Sequence, residues 1–197
     1  MINANTGRND LSSSLPVVVQ GQVDAPPVRK GAAMSVIDDK WRQIQWIGAP
    51  VDEGGGSAEA ATSDGRGRFR DFQNGTIYWT PQTGAHEVHG AIRVKWAQLG
   101  RLLGYPATDE TGCPDGVGRF NHFERGSIYW TPRTGAHEVH GAIRDFWASM
   151  GWERSRLGYP VSDETGPSNN RSSRFEGGFI TWTPSGGPRL AQAIDDG

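Results

Sequence analysis

The chain has 197 residues, a formal net charge of −2 and 35% apolar residues, with 28 glycines, 12 prolines and eight tryptophans. That length allows one or two ordinary domains, and a near-neutral charge without a long basic run argues against a nucleic-acid footprint. The single cysteine, Cys113, excludes an internal disulfide and a four-cysteine zinc site, and no run reaches the ~20 apolar residues of a membrane-spanning helix.

Residues 1–34 are rich in proline and small polar residues, with Ser12 to Ser14, Pro16, Pro26 and Pro27. This composition predicts an extended N-terminal arm. Leu15 to Val23 is a β-branched run that reads as a strand seeking a sheet edge, on this chain or on a partner; a loose tail is the other reading. The first twenty residues lack the basic region and apolar core of a secretory signal, so export by that route is not expected.

From residue 35 onward the chain repeats itself. IYWTP stands at Ile77 to Pro81 and Ile128 to Pro132, and ITWTP at Ile180 to Pro184, so Trp79, Trp130 and Trp182 are 51 and 52 residues apart. LGYP stands at Leu103 and Leu157, with a weaker IGAP at Ile47. Ile37, Ile92, Ile143 and Ile194 keep spacings of 55, 51 and 51. Three units follow, at about 36–91, 92–142 and 143–197, within one domain of residues 35–197. Each is too small to bury its own apolar stripe and must pack on its neighbours.

Within a unit the order is helix, LGYP loop, β-hairpin, which gives an α+β fold. Ile37, Trp41 and Ile44 have helical spacing, as do Val139, Ile143, Trp147 and Met150. Arg119 to Phe123 and Ser127 to Thr131 read as two strands around Glu124-Arg125-Gly126; Gln73-Asn74-Gly75 is the turn of the first copy. Pro132 ends the strand, Thr134 is the expected N-cap of the next helix, and Gly100 and Gly151 are its expected stops. Ile194 marks a short C-terminal helical turn that caps the array. Alternation puts Ile128 and Trp130 on a core face and Tyr129 opposite; Tyr78 shares that place and Thr181 replaces it in the third unit. The tyrosine face is therefore expected to be exposed.

The units resemble LGFP repeats, through LGYPATDE at 103–110, LGYPVSDE at 157–164 and GSIYWTPRTGAHEVHGAIRDFW at 126–147. The likeness covers roughly residues 36–194. The first copy departs from it with IGAP, and the third with GGPRLAQAI where the second has GAHEVHGAI. The resemblance implies a non-catalytic module that binds cell-wall polysaccharide or another envelope glycan in an actinobacterial setting. With the arm and the missing signal, it leads to a module on a phage virion, as capsid decoration or tail-associated protein, or on the bacterial envelope. A purely structural protein, its arm docked on a capsid or tail lattice, is the second reading; a wall hydrolase is the third. A homo-oligomer fits either of the first two.

The chemistry-bearing groups divide accordingly. His86-Glu87-Val88-His89 and His137-Glu138-Val139-His140 put histidines three apart rather than the four of a zincin helix, and the pair reads as packing of a first helical turn. Asp52-Glu53, Asp109-Glu110 and Asp163-Glu164 recur too regularly for a glycosidase pair and read as structural. No catalytic residue, metal site or cofactor is expected. The ligand-binding candidates are Tyr78 and Tyr129, beside His86, His137 and Arg133, as stacking faces with polar tips. Tyr105 and Tyr159, in the LGYP turns, either stack on sugars or plug the seams between units.

Overall fold

The computed structural model describes residues 35–51 and 59–191. The arm at 1–34, its strand at Leu15 to Val23, Asp52-Glu53 and the turn at Ile194 lie outside the described residues. The described residues fall in one compact unit.

The fold is α+β with three repeats, dominated by strands. Helix α1 (Val36–Gln43) and a single 3₁₀ turn (Gln45–Ile47) lead to β1 (Ala60–Ala61), β2 (Arg68–Phe72), β3 (Gly75–Thr80) and β4 (Gly84–His89). Helix α2 (Gly90–Leu99) is followed by β5 (Thr111–Gly112), β6 (Arg119–Phe123), β7 (Gly126–Thr131) and β8 (Gly135–His140). Helix α3 (Gly141–Ser149) and a 3₁₀ turn (Trp152–Arg154) precede β9 (Arg171–Phe175), β10 (Gly178–Thr183) and β11 (Gly187–Ala191). Each set of strands is an antiparallel meander in chain order.

The expected hairpin thus gains a further long strand. Thr134 does not cap a helix, and the His-Glu-Val-His segments lie on β4 and β8, not on a helical turn. The local reason is the Thr-Pro-x-Thr-Gly turn. Pro132 halts β7, the Thr134 N–H donates to Thr131 Oγ1 at 2.9 Å, and Gly135 turns the chain back at φ +77°, a conformation natural to glycine. Gly141, at φ +51°, then breaks β8 into α3.

Helices α2 and α3 are each shared between two sheets. α1 packs on β3 and β4, α2 on β4 as well as β7 and β8, and α3 on β7 and β8 as well as β10 and β11. A sheet therefore has its own helix on one face and the next unit's helix on the other. Ile77, Ile37, Ile47 and Phe72 form the first core. Val88, from the opposite face of the same sheet, joins Ile92, Leu103, Phe123 and Ile128 in the second. Complete burial of such aliphatic side chains contributes about 1.5–3 kcal/mol each. The expectation of an exposed tyrosine face fails for this reason: Tyr129 is buried at 3% exposure and Tyr78 is half-buried, because the second face of the sheet is a seam and not a solvent surface. The third sheet has no following helix among the described residues, and there the position is Thr181.

The LGYP loops fix each helix to its sheet. Trp41 and Trp96 donate from Nε1 to the carbonyls of Gly48 and Gly104 at 2.8 and 2.9 Å, and Pro50, Pro106 and Pro160 bridge to Phe72, Phe123 and Phe175. Gly104 sits at φ +72°, where an added Cβ would stand 2.2 Å from Glu124 Oε2 and 3.0 Å from its Cβ. Gly104→Ala is expected to lower the unfolding free energy by about 1–3 kcal/mol in urea titration. Gly141→Ala, with nothing within 4 Å of its added carbon, should cost only the left-handed strain, about 1–2 kcal/mol.

Candidate functional site

The two described seams carry the same polar clasp. The last strand of one sheet is an edge, and the Asp-Glu pair of the next unit grips it from both faces. At the first seam Asp109 accepts from the Glu87 N–H at 3.3 Å, from His86 Nδ1 at 3.2 Å and from Lys40 of α1. The Glu110 N–H donates to Glu87 Oε1 at 2.9 Å. At the second, Asp163 accepts from the Glu138 N–H at 3.1 Å and Lys95 at 2.8 Å, with His137 Nδ1 at 3.4 Å. The Glu164 N–H donates to Glu138 Oε1 at 2.8 Å.

His89 has a carboxylate oxygen at each ring nitrogen: Glu87 Oε2 at 2.8 Å from Nδ1 and Glu110 Oε1 at 3.2 Å from Nε2. His140 repeats this with Glu138 at 2.7 Å and Glu164 at 3.5 Å. A carboxylate beside each ring nitrogen favours the protonated imidazole. The hydrogen bonds to Glu87 and Glu138 raise His89 and His140 above the ordinary value, against burial and with help from the neighbouring carboxylates. Burial works to raise the Asp109 carboxyl, but His86, Lys40 and the Glu87 N–H outweigh it and hold it at about 2. Asp163 is lowered in the same way by His137 and Lys95. Burial raises Glu110, partly countered by Arg119 and His89.

The LGYP tyrosines close the seams from the other end. Tyr105 OH donates to Asp64 Oδ1 at 2.7 Å and Tyr159 OH to Asp115 Oδ1 at 2.7 Å. Each reaches from its loop back to the Asp-Gly turn before β2 or β6. These hydrogen bonds tie both LGYP loops across the seams.

The candidate binding residues are only partly brought together. Tyr78 and His86 stand opposite each other across β3 and β4, and Tyr129 and His137 across β7 and β8. Both histidines are occupied: Nε2 of each faces the carbonyl of Thr83 or Thr134 at 2.9 Å. Arg133 pairs with Glu176. Tyr78 and Tyr105 do share a groove. Phe69 stacks on Tyr78 at 5.4 Å, Trp96 meets Tyr78 edge-on at 4.7 Å, and Tyr105 lies 6.3 Å from Tyr78. These rings wall a hollow of 710 Å³ rimmed by Ser63, Asp64, Arg66, Arg101 and Arg125. Arg66 lies over Tyr105 at 5.3 Å, a cation–π contact, and Arg101 donates to Ser63 Oγ at 3.2 Å. Burial pushes Tyr78 up to about 12, so it is a neutral phenol. A second hollow of 610 Å³ adjoins it, sharing Tyr78, Trp96 and Gly100 and bounded by Arg93 and Gln98.

Sequence reasoning overlooked Trp96, Phe69 and the arginines around them. The signal lay in the second copy, where the stretch from Trp147 to Leu157 is three residues longer than that from Trp96 to Leu103. Among the described residues one cluster mixes metal-ligand types, Cys113, Asp115 and Glu153, within 4.8 Å of one another. Its thiol is pushed up to about 11 by burial and Tyr159 already donates to both Asp115 oxygens.

Seams of this kind define a tandem-repeat protein whose units interlock through a shared helix and an acidic clasp. The LGFP repeat model matches residues 56–101, 103–155 and 157–196, and the chain belongs to the LGFP repeat family. These repeats are associated with cell-wall-related proteins, and no helix among the described residues is long and apolar enough to cross a membrane. A search of curated proteins found no match.

A raised histidine contributes stability that is complete below its unfolded value, 6.5, and lost as pH rises through its folded value. The urea midpoint is therefore expected to fall as pH is raised from 6 to 9. His89→Gln with His140→Gln should lower the midpoint at pH 6 and flatten that decline.

Proposed function

We propose that the protein is a non-catalytic module that binds cell-wall glycan through the aromatic groove of the first seam. The groove carries this reading. Four aromatic rings wall a surface for the apolar side of a sugar, and a rim of arginines, Asp64 and Ser63 offers donors and acceptors for its hydroxyls. Membership of a family tied to cell-wall proteins supports it. So does the state of the titratable groups. The four seam histidines and the Asp-Glu pairs are engaged with one another, which leaves them structural work rather than proton transfer. Of the candidate side chains named from the sequence, we assign Tyr78 and Tyr105 to this site, whereas Tyr129, Tyr159, His86, His137 and Arg133 are engaged at the seams.

The setting we propose is the actinobacterial envelope, or a phage particle that meets it; in both the module holds an attached body against the wall. Several copies on one particle would raise the overall strength of weak single sites by avidity. Sedimentation of the purified protein with isolated actinobacterial cell walls tests the reading. Tyr78→Ala and Arg101→Ala are each expected to weaken binding about tenfold or more, equivalent to ~1.4 kcal/mol, while the proteins still unfold cooperatively. Arg133→Ala should bind as the wild type does. Failure of the wild type to sediment would refute the reading.

A further inference from the structure

We propose that the groove takes a saccharide ring on the Arg93 side of Tyr78 and Trp96, in the position that Trp152 fills at the second seam, so that the two described seams provide one such site. This rests on the glycan reading above and adds where the ring lies and how many sites there are.

The second seam is an internal comparison. Its counterparts of Tyr78, Trp96 and Arg93 are Tyr129, Trp147 and Arg144, each 51 residues on. All three meet the indole of Trp152. Tyr129 stacks on it at 6.1 Å and 27°, Trp147 meets it edge-on at 5.3 Å and 83°, and the Arg144 guanidinium lies 5.2 Å above it. The three extra residues of this loop, forming the Trp152–Arg154 turn, thus fill the space that is an open hollow at the first seam.

The filling has a structural cost. Trp152 is the one described non-glycine residue with positive φ, +59°, a strained place for a bulky side chain. The lengthened loop also leaves the buried Trp147 Nε1 without a hydrogen-bond partner, whereas Trp41 and Trp96 each have a carbonyl. The cavity accordingly accepts a flat ring with one face on a tyrosine, one edge on a tryptophan and a guanidinium over it.

The polar groups beside the open hollow select a sugar over another aromatic ring. At the second seam His122, pushed down to about 4 by burial and by Arg144, tilts against the indole at 5.7 Å as a neutral ring. Its counterpart at the first seam is Asp71, which accepts from Arg93 at 3.0 Å. Asp71 also accepts from Thr76 Oγ1 at 2.5 Å, and this carboxylate and guanidinium beside an aromatic face match a pyranose, with its C–H face and hydroxyl edge.

The test is ¹H–¹⁵N spectroscopy of the full chain titrated with oligosaccharides released from delipidated actinobacterial walls, alongside whole-wall sedimentation. In the wild type the Trp96 indole and the Gly100 amide are expected to shift, while the Trp147 indole and Gly151 stay. Trp152→Gly suits the left-handed backbone and opens the second hollow, so both sets should shift. Gln98→Trp fills the first hollow from the helix surface and should weaken binding at least tenfold. Shifts confined to another surface, with walls still sedimented, would overturn the placement and leave the glycan reading standing. A folded Trp152→Gly that responds only at the first seam would overturn the equivalence. If that variant does not fold, Gln98→Trp decides alone, and unweakened binding overturns the proposal. Neither shifts nor sedimentation would overturn both readings.

Discussion

An edge strand gripped by two adjacent carboxyl-bearing residues is the constraint on which the rest of this structure depends. β4 and β8 each end a sheet, and an exposed edge invites pairing with any passing strand. Here the following unit covers it. Asp109 takes the Glu87 N–H and the imidazole on one face, and Glu110 gives its own N–H to the Glu87 carboxylate on the other. The second seam repeats the pattern with Asp163, Glu138 and Glu164. The third sheet ends differently: β11 carries Pro188 and Arg189, residues that themselves blunt an edge.

The clasp and the shared helix together fix how close neighbouring sheets come, and that spacing creates the groove. Tyr78 belongs to one unit's sheet, Trp96 to the helix between sheets and Tyr105 to the next loop, so no unit has the site alone. Binding at such a place depends on the seam geometry, and the module's stability and its site are consequently linked. One insertion suffices to alter the outcome. Three residues after α3 lay Trp152 on Tyr129, which is buried where Tyr78 is half open, and the hollow of 570 Å³ that remains at the second seam is walled by Trp152 itself with Phe120, His122 and Tyr129.

Much of the fold was legible in the sequence because it repeats. IYWTP, LGYP and the Ile-x3-Trp stripe located strands, loops and helices; β6 and β7 lie where those patterns put them, whereas α1 stops at Gln43 and Ile44, read as part of its stripe, is already its non-helical C-cap. The third long strand was not legible as a strand. Gly-Ala-His-Glu-Val-His has no strict apolar alternation, since Glu87 and Glu138 are buried by a clasp made with residues more than twenty positions away. The tyrosine face was misread because two-fold alternation describes a single sheet, and stacking buries both faces. Of the proposed groove, Tyr78 and Tyr105 were identifiable in the sequence as aromatics with polar tips, but Phe69, Trp96 and Arg101 become a wall and rim only when two units meet.

The most direct test is a double-mutant cycle across the first seam, pairing His89→Ala with Glu110→Ala and measuring unfolding free energies at pH 6. If the clasp holds neighbouring units together, the two changes are coupled by about 0.5–3 kcal/mol. Additive effects, with coupling near zero, would contradict it and leave the seam to apolar packing alone.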